Sequence, residues 1–220
     1  NHDKILIENG ILNNWTIKLN DFTKDIQEAN LFRDINGLTG CLNIFDLKLL
    51  NIKIEINGSS CEDAVNLVRT SGQIEKITID NSQSDGVDSD FSDLKIKYVK
   101  ITNSKGDCLD LSKGNYNIDL AILSDCKDKA ISAGEISNLF ADKINITKSY
   151  YGLVAKDYSD VKVNDLTILE SENCLSVYSK KQEFSGASIL INNFRCEPLN
   201  LKNKNIYSDE LSKIKINTAI

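Results

Sequence analysis

Five aspartates crowd two short stretches of the chain: Asp85, Asp88 and Asp90 in SDGVDSD, and Asp107 and Asp110 in GDCLD. The second stretch follows the first at an interval of 22 residues. Carboxylates held close together repel, and a bound cation, a raised pKa or a neighbouring ammonium group relieves the strain. Two carboxyl groups with separated pKa values are what glycosidic cleavage uses, one as acid and one as base or nucleophile. Lys129 and Lys156 come next along the chain and would balance the charge, grip an acidic sugar or carry a proton. Asp85, Asp88, Asp107, Asp110, Lys129 and Lys156 are therefore the candidate catalytic residues. Glu135, Tyr151, Asp157, Tyr178 and Lys180 are the candidate substrate-binding residues, the tyrosines by stacking on a sugar ring alongside Tyr150. A lyase would need a base to take a proton from beside a uronate carboxylate, and Lys129 would serve if its pKa were lowered. Asp88, Asp90 and Asp110 are the candidate calcium ligands, because calcium needs only several oxygens within reach. The plainer alternative for any one aspartate is a bond to turn amides, or a place on an ordinary solvated face.

These residues are positioned by a repeat. Cys41-Leu42, Ala64-Val65, Gly86-Val87, Cys108-Leu109, Ala130-Ile131, Gly152-Leu153 and Cys174-Leu175 recur at one step of 23 and then five steps of 22 residues. The first position holds only Cys, Ala or Gly, and the second only Leu, Val or Ile. Beside this set run triplets with apolar ends: Ile54-Glu55-Ile56, Ile77-Thr78-Ile79, Val99-Lys100-Ile101, Ala121-Ile122-Leu123, Ile144-Asn145-Ile146 and Leu166-Thr167-Ile168, polar at the centre in all but the fourth. A period of two marks strands with one buried face. Shorter runs such as Leu94-Lys95-Ile96, Tyr116-Asn117-Ile118 and Val161-Lys162-Val163 add a third strand per coil. The helical and leucine-rich repeats of similar length carry other patterns, absent here. The spacing predicts an all-β, right-handed, single-stranded parallel β-helix with coils of 22 to 23 residues, one domain over residues 1–220.

In such a solenoid equivalent residues stack at about 4.8 Å, so each column is a ladder. Asp63, Asp85 and Asp107 share one column, and Asp88 stacks on Asp110 behind Asn66. Asn81 and Asn103, with Asp125 next, read as an amide ladder at an inner turn. Cys41, Cys108, Cys174 and Cys196 read as compact apolar residues of the small inward column. A Cys174–Cys196 disulfide is disfavoured on that reading, although six cysteines would also suit a disulfide framework. One histidine, His2, and no CxxC pair argue against a zinc site.

Residues 21–36 interrupt the strand pattern with a short helix or loop insertion, Thr23 with Gln27 and Glu28 forming a start and Ile26, Ala29 and Phe32 a packing face. Lys4–Ile7 and Trp15–Leu19 look like an earlier coil, so the chain reads as a segment of a longer protein. Ser208–Ile216 is either a final coil or a cap. A net charge of −6 with no basic block argues against nucleic acid as partner, and no apolar run is long enough for membrane insertion.

On consecutive coils the chain has Ser84-Asp85-Gly86-Val87-Asp88, Gly106-Asp107-Cys108, Asp128-Lys129-Ala130-Ile131-Ser132 and Gly152-Leu153-Val154-Ala155-Lys156. In order and spacing this resembles the pectate-lyase-like superfamily of β-helices, most nearly the polygalacturonase-like glycoside hydrolases. Those enzymes show Asn-Thr-Asp-Gly, Asp-Asp-Cys, Gly-His-Gly-Ile-Ser and Gly-x-Arg-Ile-Lys. The resemblance implies that Asp85 and Asp107 activate water and that Lys156 binds substrate. Gly106 stands at the first Asp of the family's pair, Lys129 at its histidine and Val154 at its arginine. The chain is also similar to β-helix modules of large bacterial surface or envelope proteins. Two functions follow as expectations: a module that binds or processes a polysaccharide or oligosaccharide, or a non-catalytic structural or adhesive scaffold of a larger chain. An extracellular or cell-envelope location goes with either, while the cysteines alone leave a cytoplasmic one open.

Overall fold

The computed structural model describes residues 4–20, 37–200 and 205–219. They form a parallel β-solenoid of about eight turns, with no helix among the described residues. The segment expected to carry a helix or loop at 21–36 lies outside them. Strands of the central coils are β3 (Gly40–Ser59), β4 (Asp63–Val68), β5 (Ser71–Ser82), β6 (Asp85–Asp90), β7 (Asp93–Ser104), β8 (Leu109–Ser112), β9 (Asn115–Gly134) and β10 (Asn138–Lys156). They are followed by β11 (Asp160–Ser171), β12 (Asn173–Tyr178) and β13 (Ser188–Pro198).

The predicted columns are the observed register. Leu42 pairs with Val65, then Val87, Leu109, Ile131, Leu153 and Leu175 in unbroken succession. The triplets pair likewise, as in Ile79 with Ile101, Leu123, Ile146 and Ile168. These aliphatic ladders fill the interior almost without exposure and make it one continuous core. Each Leu, Ile or Val so buried contributes roughly 1.5–3 kcal/mol. At the start, β1 (Ile5–Asn13) and β2 (Thr16–Asn20) pair with β3 as an earlier coil. At the other end, β14 (Ile206–Ser208) pairs with β12 and β15 (Lys213–Ala219) with β13, so Ser208–Ile216 belongs to a final coil.

Corners are made by residues in the left-handed region, single at most turns but two in succession at Glu135-Ile136 and Asp157-Tyr158. One corner column runs Asp46, Arg69, Phe91, Lys113, Glu135 and Asp157; another runs Gly58, Asn81, Asn103, Asp125, Lys148 and Glu170. Asn and Asp tolerate this conformation through local hydrogen bonds, which accounts for the register of Asn81, Asn103 and Asp125. The amide ladder is real, since the Asn103 amide donates to Asn81. It stands on the outer surface, however, and not at an inner turn. Inside the same corner, one residue further on, is a hydroxyl ladder in which Ser82 meets Ser104 at 2.6 Å and Ser149 meets Ser171 at 2.9 Å.

The cysteines correct the expectation of free core thiols. All six are bonded, as Cys41–Cys61, Cys108–Cys126 and Cys174–Cys196, with Cα separations of 5.4, 5.5 and 6.3 Å. Cys41, Cys108 and Cys174 do occupy the small inward column, but Cys196 pairs with Ile168 on the adjoining face. The small column packs against that face: a Cβ on Gly86 would meet the Ile101 side chain, and one on Gly152 the Ile168 side chain. The bond at Cys174 therefore crosses the interior from one face to another and does not link neighbours of one ladder.

Candidate functional site

The face built by β4, β6, β8 and the ends of β9, β10 and β12 carries the residues singled out above. Three outward columns cross it. The first is Asp63, Asp85, Asp107, Lys129, Tyr151 and Asn173; the second is Asn66, Asp88, Asp110, Ser132, Val154 and Ser176. The third contains Asp90, Ser112, Gly134, Lys156 and Tyr178. Side chains in one column lie about 5 Å apart.

Asp85 reaches forward to accept the Asp107 amide at 2.8 Å, and Asp107 in turn accepts the Lys129 amide at 2.9 Å. The Lys129 ammonium donates to both oxygens of Asp107, at 3.1 and 3.3 Å, and also to Asp128. Thr39 donates to Asp63, and Asn66 to Asp88 at 3.1 Å. Asp85, Asp107 and Asp110 can bring carboxylate oxygens within 4.8 Å of one another. These three converge, in place of the expected Asp88, Asp90 and Asp110.

Burial is the first cause of every raised carboxyl pKa on this face. It takes Asp63 to about 8 against the opposing Thr39 hydrogen bond, with the charges of Asp85, Glu62 and Asp110 adding to it. Asp107 rises to about 7, Lys129 restraining it and Asp110 and Asp85 pushing it on. Asp85 and Asp90 each rise to about 6, and Asp88 stands well above the ordinary range beside Asp63, Asp90 and Asp110. Lys129 moves the other way from what a base requires. Burial opposes its charge, but Asp107 and Asp128 override that and hold the ammonium above its ordinary range. The condition for Lys129 as a lyase base is not met.

No protein-family model, curated protein or solved structure matches this chain.

Two glycines shape it. A Cβ on Gly106 would lie 2.0 Å from Asp85 Oδ1, so the Asp85 carboxylate occupies the space of any side chain there. A Cβ on Gly134 would lie 2.7 Å from Lys156 Cε, because the Lys156 stem is laid across that glycine. Lys156 is only 8% exposed, and its ammonium makes no hydrogen bond or ion pair among the described residues. Replacing Gly106 by Asp is expected to expel the Asp85 carboxylate and lower stability by about 2 kcal/mol, as overpacking does. Urea unfolding of Gly106→Asp beside the parent protein checks this; an unchanged midpoint would contradict it.

Other expected site residues sit at the rim. Tyr151 follows Lys129 in its column and meets Tyr150 edge to face at 4.8 Å. Tyr178 lies close enough to feel Lys129, Tyr151, Asp128 and Asp107, after burial, which raises its pKa. Glu135 pairs with Lys113 and Lys181, not with Lys129, Lys156 or Lys180. Asp157 is fully buried and accepts the backbone amides of Lys180 and Lys181, at 2.6 and 2.8 Å, which makes it a loop anchor. The Lys180 side chain is exposed. Towards the earlier coils the face opens into a cleft of about 520 Å³ lined by Phe45, Glu62, Asn66, Arg69, Asp88 and Asp90. Arg69 there stacks over Phe45 at 4.2 Å. Sequence reasoning missed Ser132, which stands beside Asp110 with a buried hydroxyl that has no partner. The 22-residue spacing of Asp110 and Ser132 was the available signal.

Proposed function

We propose that this chain is a carbohydrate-interacting β-solenoid module that binds a polysaccharide along the Asp/Lys face and processes it where the acids converge. One observation carries the reading: Lys156 is nearly buried across Gly134 with an ammonium that no described protein group neutralises. Its stem is covered while its ammonium keeps contact with solvent beside the acids, so the charge is placed to meet an anionic or hydroxyl-rich ligand. It shares its face with carboxyls that hold protons near neutral pH and with tyrosines able to stack on sugar rings.

In this reading Asp107 and Asp85 divide the acid and base roles, their pKa values of about 7 and 6 bracketing the proton inventory that such chemistry uses. Carboxyl oxygens within 4.8 Å are nearer to the roughly 5–5.5 Å of retaining glycosidases than to the wider pairs of inverting ones. The polygalacturonase likeness supports Asp85, Asp107 and Lys156 as participants. Gly106 and Lys129, at that family's acid and histidine positions, mean that the roles would be redistributed here. Three disulfides favour an oxidising, extracellular or cell-envelope setting.

A panel of acidic and neutral polysaccharides, scored by affinity electrophoresis and reducing-end release, tests the proposal. We expect retardation by at least one polymer, with any release abolished in Asp107→Asn/Asp110→Asn. Release unchanged in that variant would remove the catalytic assignment. The second reading, a structural or adhesive scaffold, is favoured by the way Asp85 and Asp107 already accept amides of the next coil. Absence of binding across the whole panel would leave that reading standing.

A further inference from the structure

We propose that Asp85, Asp107 and Asp110, completed by the Ser132 hydroxyl, bind one divalent cation of the calcium type. The carboxylates come from successive coils and have oxygens within 4.8 Å of one another. A cluster of acids alone would not require a ligand, but two further atoms point to one. Ser132 is 0% exposed, follows Asp110 in the same outward column, and its Oγ has no hydrogen-bond partner. Asp110 Oδ1, next to it on the ladder, is likewise buried without a partner. Adjacent oxygens that both lack a donor are what a coordinated cation satisfies, since each left bare carries the full desolvation penalty.

The charges around the cluster agree. Lys129 is the ammonium paired with Asp107, and neither Asp85 nor Asp110 has an ion-pair partner among the described residues. The donor set is all oxygen, with no imidazole or thiolate, which selects a hard cation over zinc or copper. Calcium, which accepts irregular oxygen sets, fits a ladder better than magnesium, which demands a near-octahedral one. The site shares Asp85 and Asp107 with the acid and base roles proposed above but needs no glycan, so calcium titration of the glycan-free protein decides it separately from any cleavage.

Calorimetric titration of calcium into the protein at pH 8, with magnesium as comparator, tests the site. We expect one calcium per chain with a dissociation constant on the order of 10⁻⁴ M, and at least tenfold weaker binding in Asp110→Asn. Ser132→Ala separates coordination from general charge attraction, because it leaves the charge unaltered. It should weaken calcium at least fivefold while leaving the calcium-free protein as stable as the parent or more so, since it removes an unpartnered buried hydroxyl. Asp125→Asn, at the outer corner ladder, should bind as the parent does. No saturable calcium binding, or binding equal in Ser132→Ala and the parent, would overturn the proposal.

Discussion

Raising the pH from 5 to 8 is expected to lower the midpoint of thermal unfolding by on the order of 10 °C. The cause is the buried acid face. In the unfolded chain its aspartates would titrate near the ordinary 3.8, whereas in the fold Asp85 and Asp90 titrate at about 6, Asp107 at about 7 and Asp63 at about 8. Groups whose pKa is raised on folding bind more protons in the native state. Their contribution is fully present below about pH 4 and is lost as the pH rises through 6 to 8. For Asp85 the whole shift corresponds to about 3 kcal/mol, of which roughly half is lost between pH 5 and 8; at about 2–4 °C per kcal/mol in a chain of this size, Asp90, Asp107 and Asp63 add the rest of the fall. Below pH 4 the opposite class takes over. Asp160, despite burial, is held low by Lys162 and Ser188, and its stabilisation disappears there, so the maximum should lie near pH 4. Scanning calorimetry from pH 4 to 9 checks the slope. Asp85→Asn should flatten it, and a midpoint that rises with pH would show that the acids are not buried as described.

Removing the Cys108–Cys126 bond is expected to cost about 3 kcal/mol. The bonded residues are 18 apart, and closing a loop of that size takes roughly 3 kcal/mol of freedom from the unfolded chain. The cleanest variant is Cys108→Ala/Cys126→Ser. The small column already holds Ala64 and Ala130, and the inner hydroxyl ladder already holds Ser104 and Ser149 on either side of Cys126. Neither replacement leaves a foreign group in the core, so the loss reports the crosslink. Guanidinium unfolding of the variant, with non-reducing peptide mapping of the parent, measures both the energy and the pairing. Six titratable thiols in the unfolded, unreduced parent would contradict the three bonds.

What was legible in the sequence follows from how a solenoid buries its side chains. Leu42 to Leu175 and Ile54 to Ile168 each meet only their own kind one coil away, so register appears directly as spacing. The outward acid columns, Asp63 with Asp85 and Asp88 with Asp110, were legible for the same reason. Contacts across the interior leave no such trace. Cys174 and Cys196 are 22 residues apart, which looks like one ladder step, yet Cys196 lies in the column of Ile168. The corner that admits Asn81 and Asn103 explains their spacing but not their side, since a left-handed residue turns its side chain outward while the next residue points in. The partner of Glu135 in the loop beyond β12, Lys181, stands two residues past the next step of the Glu135 and Asp157 column, so no ladder shows it. The site's shape was also hidden, because it depends on Gly106 and Gly134 making room for side chains from neighbouring coils.

The central claim is that this face is a ligand site organised around Lys156. Its most direct test is a glycan-array measurement on the parent protein, Lys156→Ala, and Lys100→Ala as a control on the exposed side of β7. The glycan signal should fall at least tenfold in Lys156→Ala and be unchanged in Lys100→Ala. Equal signals from all three proteins would contradict it.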